Sequence, residues 1–188
     1  MTRTCACGTG VSNTRCVDCY PSTLTCKGCF LKAHVNNPFH WAQVWDQNYF
    51  KCTSFSRASG VLRLGHRGLP CPNQCEGQVL LKMNIVHVNG IHTTNVLFCQ
   101  CYNAPQQRWE QLIDARLFPA TMPQPVTAFT FSLLKLSHLI SLSAQCSVHS
   151  LSQVLYRITD DPFSDKLPVR TFLSLPGHYL TPQNTENR

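Results

Sequence analysis

Eight side chains able to ligate a metal crowd the start of this chain: Cys5, Cys7, Cys16, Cys19, Cys26, Cys29, His34 and His40. They come in pairs: Cys-x-Cys, Cys-x-x-Cys twice, then two histidines. A tetrahedral ion is well served by pairs, because one tight turn presents two donors to it. Each pair is half a site, so the stretch reads as a module for two Zn²⁺ ions. The short loops 8–15 and 20–25 let the chain cross between sites. The expected arrangement is a cross-brace, with the first and third pairs on one ion and the second and fourth on the other. Gly8 follows Cys7, where a left-handed backbone is expected to aim amides at thiolate sulfur.

A second set is more dispersed: His66, Cys71, Cys75, His87, His92, Cys99 and Cys101. Cys99 and Cys101 fall on one face of an extended chain, since side chains alternate with period two. The loop LGHRGLPC offers His66 and Cys71 as partners, which gives a third zinc site of His66, Cys71, Cys99 and Cys101. His92 is the rival fourth ligand, but its parity along an unbroken strand is opposite to that of Cys99 and Cys101. It could equally form a cross-strand pair with His87. Cys52 and Cys146 have no such neighbours and are expected as core thiols.

Composition narrows the chemistry. With 188 residues and 12 cysteines, the chain can build a core and could use its thiols for disulfides or metal. The opening MTRTCACGTG has no apolar run of secretory type. A nuclear or cytoplasmic, non-secreted protein is therefore expected, with reduced thiols and zinc as the cofactor. FTFSLLKLSHLISLSA is broken by Lys135 and His138, so no membrane span is expected. The net charge is +7. Up to Lys82, nine basic residues face three acidic ones, Asp18, Asp46 and Glu76. That excess suits a nucleic-acid partner; it equally suits neighbours that balance thiolate-rich zinc. Trp41, Trp45, Tyr49 and Phe50 lie among the basic residues and are expected to form a small core beside His40, with base stacking as their other use.

The elements that must position these ligands follow from pattern. VLRL is a short strand. VLLKMNIVHV and IHTTNVLF flank Asn89-Gly90, a strong turn signal, and predict a hairpin over Gln78–Phe98. Trp109, Leu112, Ile113 and Leu117 recur at helical spacing. Residues 127–143 are apolar nearly all round and read as a buried helix. A further helix runs from Ser147, with Val148, Leu151, Leu155 and Ile158 on one side. The fold class is thus a small α+β protein stabilised by zinc. It comprises a cross-braced module (1–45), a β-hairpin domain with a further zinc (46–104), a helical segment (105–159) and a tail without periodicity (160–188).

The paired ligands resemble B-box and RING-type modules, although Cys5-x-Cys7 is one residue shorter than their first pair. A more extensive resemblance runs from CACG through TRCVDC, LTCKGCFLKAH, NPFHWAQVW, LGHRGLPCPN, VNGIH, FCQCYNAP, QLIDARLFPAT and TAFTFSLLKLSHLISL. In that order they resemble the CxC-type cysteine cluster associated with Kyakuja–Dileera–Zisupton (KDZ) transposases of basidiomycete fungi, over roughly residues 5 to 160. The resemblance implies a zinc-binding accessory module. The RNase H-like catalytic domain that follows it in that family has no counterpart here, so catalysis is not expected. The nine carboxylates are scattered, whereas two-metal phosphoryl chemistry needs them to converge. No His-x-Glu with a following Cys-x-x-Cys suggests a deaminase. The expected role is binding, with DNA as the leading partner and a protein partner as the alternative. The other readings are a RING- or B-box-like adaptor in ubiquitin-type pathways and a fragment of a DDE-type transposase.

Overall fold

The computed structural model describes residues 3–73 and 80–159. Cys75, most of the segment leading into the hairpin and the tail 160–188 fall outside those residues.

The N-terminal unit is a three-stranded antiparallel sheet, β1 (Thr14–Cys16), β2 (Ala42–Asp46) and β3 (Tyr49–Thr53), with helix α1 (Lys27–Ala33) beside it. Its core is small: Cys16, Phe30, Ala42 and Phe55, flanked by Cys19 and Leu31. Because β3 completes the sheet, the unit expected over 1–45 extends through Thr53.

The second unit is a five-stranded sheet in the order β4-β6-β5-β8-β7. Its strands are β4 (Val61–Arg63), β5 (Leu81–His87), β6 (Gly90–Leu97), β7 (Leu117–Pro119) and β8 (Thr127–Thr130). Alternation along β5 and β6 sends apolar residues to both faces. Met83, Ile85 and Val96 pack with Leu64, Leu112, Leu117 and Ala128. On the other side Val86, Ile91 and Phe129 pack with Leu133, Leu151 and Leu155. Leu112 comes from helix α2 (Arg108–Asp114), Leu133 from α3 (Phe131–Ala144), and Leu151 and Leu155 from α4 (Val148–Thr159), so helices cover both faces of the sheet.

Three expectations change here. The segment over 105–159 is not wholly helical, because β7 and β8 lie inside it. Thr127–Thr130 are all buried as a strand parallel to β5, and a strand buried on both faces carries no period-two signal to separate it from a buried helix. Helix α3 starts only at Phe131 and is not buried all round, since Leu139 and Leu142 are exposed. The hairpin turn is Val88-Asn89 rather than Asn89-Gly90: His87 pairs with Gly90 and Ile85 with His92. Gly90 absorbs the shift at φ 130°, a backbone region that favours glycine. His87 and His92 are therefore not cross-strand partners. No described helix is long and apolar enough to cross a membrane.

Candidate metal centres

The first and third cysteine pairs converge, and so do the second pair and the two histidines. Cys5, Cys7, Cys26 and Cys29 form one group and Cys16, Cys19, His34 and His40 another; within each, all donor atoms lie within 4.8 Å of one another. This is a cross-brace, and α1 is its bridge. Cys26 caps the start of α1, its Sγ accepting from the Cys29 N–H at 3.4 Å. The Cys26 N–H in turn points at Cys5 Sγ, 3.2 Å away. Amides converging on sulfur at a helix start favour thiolate. Gly8 does take a left-handed backbone, φ 75°, but its N–H donates to the Cys5 carbonyl at 2.8 Å, not to sulfur.

His34 caps the other end of α1. Its Nδ1–H donates to the Phe30 carbonyl at 2.8 Å, which leaves Nε2 as the ligand atom, 3.4 Å from Cys19 Sγ. Fixing the tautomer through the far nitrogen is how proteins orient ligating histidines. His40 presents Nδ1, 3.5 Å from Cys16 Sγ and 3.3 Å from Cys19 Sγ.

The third group joins His66, Cys71, Cys99 and Cys101. His66 Nε2 lies 3.2 Å from both Cys99 and Cys101 Sγ. Cys71 Sγ is 3.8 Å from Cys99 and 3.5 Å from Cys101. These spacings test the fit. Tetrahedral zinc with Zn–S of about 2.3 Å and Zn–N of about 2.0 Å holds its donors roughly 3.3–3.8 Å apart. A disulfide would bring two sulfurs to about 2 Å, and no described cysteine is so paired. All three groups therefore fit a tetrahedral thiolate–imidazole metal. Gly65 makes the approach possible: at φ 75°, a Cβ there would lie 3.0 Å from Cys99 Cβ.

Protonation points the same way. The Thr9 hydroxyl holds Cys7 down at about 6, while sharing a proton with Cys7 pushes Cys29 up to about 12. In the third group the Gln100 amide lowers Cys71 to about 6, and Cys71 then raises Cys101 to about 11. Like charges so close cannot all ionise alone, and a divalent cation bound there would displace the remaining protons.

Gln111, which sequence pattern did not single out, holds the third group in place. Its buried amide accepts from the Cys99 N–H at 2.8 Å and donates to the carbonyls of Cys99 at 2.9 Å and Pro105 at 2.8 Å. Helix α2 thereby fixes the Cys99–Cys101 segment.

Residues 55–162 match the family model described as CxC2 like cysteine cluster associated with KDZ transposases. The match covers more than half of the chain. The chain belongs to this family. No curated protein and no solved structure matches it significantly. The CxC2 match contains the third group whole and begins after both N-terminal groups. The family description is of a cluster that accompanies transposases, not of their catalytic domain. None of the three ligand groups includes a carboxylate.

Other candidates are placed elsewhere. His92 does not join the third group. It is 1% exposed and packs against Trp41, ring centroids 4.4 Å apart and planes tilted by 32°. His87 Nδ1 accepts from the Thr130 hydroxyl at 2.9 Å. Cys52 is exposed and Cys146 half-buried, so neither is a core thiol; Cys52 faces away from the core on β3, and Cys146 sits in the turn between α3 and α4. Trp41 is half-buried at the junction of the two units. Trp45 and Tyr49 are exposed, so the four aromatics do not form a common core.

Asn89 ties the units together. From the hairpin tip its Nδ2 donates to the Phe39 carbonyl at 2.9 Å and to Asp18 Oδ1 at 3.3 Å. Its carbonyl accepts from Trp41 Nε1 at 2.8 Å. Asp18 lies between ligands Cys16 and Cys19, and Phe39 and Trp41 flank His40. With Nδ2 committed as donor, Asn89 Oδ1 must accept the His92 Nε2–H at 2.9 Å. His92 Nδ1 is left buried without a partner.

Burial, with the nearby His87, pushes His92 down to about 3. An unfolded histidine titrates near 6.5. The folded state therefore binds fewer protons, and stability is lost as pH falls below about 6.5 towards 3. By pH 5 that amounts to about 2 kcal/mol. His92→Gln should flatten this limb in denaturant titrations between pH 7 and 5. An equally steep loss in the variant would show that another group governs it.

Proposed function

We propose that this chain is a non-catalytic zinc-binding module whose partner is DNA. The observation that carries the first half is closure of the ligand sets. Each group supplies four protein donors, which suits structural zinc and leaves no open position for substrate. The second half is supported by charge. The chain carries +7, and Arg3, Arg15, Lys27, Lys32, Lys51, Arg57, Arg63 and Arg67 belong to the residues in and just after the two-metal module. Contacts from such residues to phosphates release counterions, so affinity should fall steeply with salt. Reduced thiol ligands favour the nucleus or cytoplasm over an oxidising compartment.

Metal counting by native mass spectrometry is expected to give three zinc ions. A gel-shift titration at two salt concentrations is expected to give weak binding that largely disappears at the higher one. No strand cleavage is expected with Mg²⁺ or Mn²⁺. Absence of binding even at low salt would transfer the reading to a RING- or B-box-like protein adaptor. Metal-dependent nicking abolished by changing a carboxylate would restore the transposase reading.

A further inference from the structure

The β1–β2–β3 sheet has one face committed to the core and one open. Thr14, Cys16 and Ala42 point inward and are buried. Arg15, Gln43 and Cys52 form a row across the opposite face, with Trp45 and Phe50 as the next cross-strand pair. None of these five is buried. They are nevertheless ordered against each other. The Arg15 guanidinium sits 3.8 Å from the Phe50 ring centroid, and its Nε–H donates to Gln43 Oε1 at 2.9 Å. Trp45 meets Phe50 edge-on with centroids 5.0 Å apart, and remains 39% exposed. On the other side of the sheet, which Val44, Lys51 and Thr53 share with Thr14 and Ala42, a groove of about 450 Å³ is lined by Lys51, Arg57 and Asp46.

Flat π-faces held in place beside the Arg15 cation match the chemistry of unstacked bases on a phosphate backbone. Duplex DNA keeps its base faces hidden and offers mainly phosphates and groove edges. We propose that this open face is a stacking platform for single-stranded nucleic acid, with Trp45 and the Arg15–Phe50 pair as the base-contacting surfaces. The proposal rests on the nucleic-acid reading above and adds to it the surface and the strandedness.

The test uses the metal-loaded full chain and fluorescence anisotropy with labelled oligo-dT and a duplex of matched length at one low salt concentration. Oligo-dT is expected to bind more tightly than duplex. Trp45→Ala should weaken oligo-dT by roughly tenfold, the loss of about one stacked base, and leave duplex within about twofold, since phosphate contacts persist. Arg15→Lys keeps the charge and removes the planar group, and should weaken oligo-dT in the same selective way. Metal content by native mass spectrometry checks that both variants remain folded. Tighter duplex binding, or oligo-dT affinity unchanged in both variants, overturns the platform and leaves the nucleic-acid reading standing. Failure of both ligands to bind overturns both.

Discussion

Stripping the metal from this chain at neutral pH should unfold residues 3–53 while much of the five-stranded sheet persists. The N-terminal core holds only Cys16, Phe30, Ala42 and Phe55. Burying a large apolar side chain contributes about 1.5–3 kcal/mol, and this unit has only two of aromatic size. Ordering each residue's backbone costs about 1–2 kcal/mol, which so small a core cannot offset. Structural zinc contributes about 10–16 kcal/mol per ion in comparable small modules, so metal binding and folding should be one event here. The second unit instead buries Met83, Ile85, Val96, Leu112, Phe129, Leu133 and Leu155, among others. Hydrogen exchange with and without a strong chelator separates the two units. The amides of Phe30 and Trp45, bonded to the carbonyls of Cys26 and Asn13, should lose protection, while those of Ile85 and Val86 should keep most of theirs. Undiminished protection at Phe30 in metal-free protein would refute the coupling.

Gln111→Leu should weaken metal binding at the third group without touching the first two. Leucine nearly conserves volume and removes every polar atom. Three hydrogen bonds disappear, and the Cys99 N–H and the Cys99 and Pro105 carbonyls lose their partner. An unsatisfied buried group costs about 1–3 kcal/mol, so a total of about 3 kcal/mol or more is expected. Part of it should appear as metal loss, because Cys99 and Cys101 are ligands only while their segment is held. Native mass spectrometry under increasing competition from a chelator is the measurement. Retention of the third metal at wild-type chelator concentrations would reduce Gln111 to a packing residue.

The ligand groups were the most legible part of the molecule. Cys-x-x-Cys turns and the Cys99-x-Cys101 strand end are local, so spacing alone constrains which donors can share an ion. Parity separated His92 from the third group, and its burial beneath Trp41 agrees with that separation. What stayed hidden depends on long-range context. Asn89-Gly90 has the composition of a two-residue turn, but the Asn89 side chain is bonded to Asp18, Phe39 and His92, and the register shifted by one. The TAFT strand is buried on both faces, so it looked like the start of the helix that follows it. Gln111 has the residue type of a solvated helix position. Only the backbone of a segment some ten residues away makes it a keystone. Trp45 was read as core because aromatics usually are, and no local pattern reveals which face of a three-stranded sheet goes uncovered.

The Asn89 contact bears on where this protein can be cut. Homology begins at Phe55, which invites expression of the matching stretch alone. Yet Phe55 itself packs against Cys16, Phe30 and Ala42, and the seat of Asn89 is made by Asp18, Phe39 and Trp41. Excised at the homology boundary, the sheet would present to water a hairpin tip shaped for a missing socket, with His92 uncovered. The recognisable unit is therefore smaller than the packed one. A shortened version leaves that surface open to cover from its own sequence or from another chain.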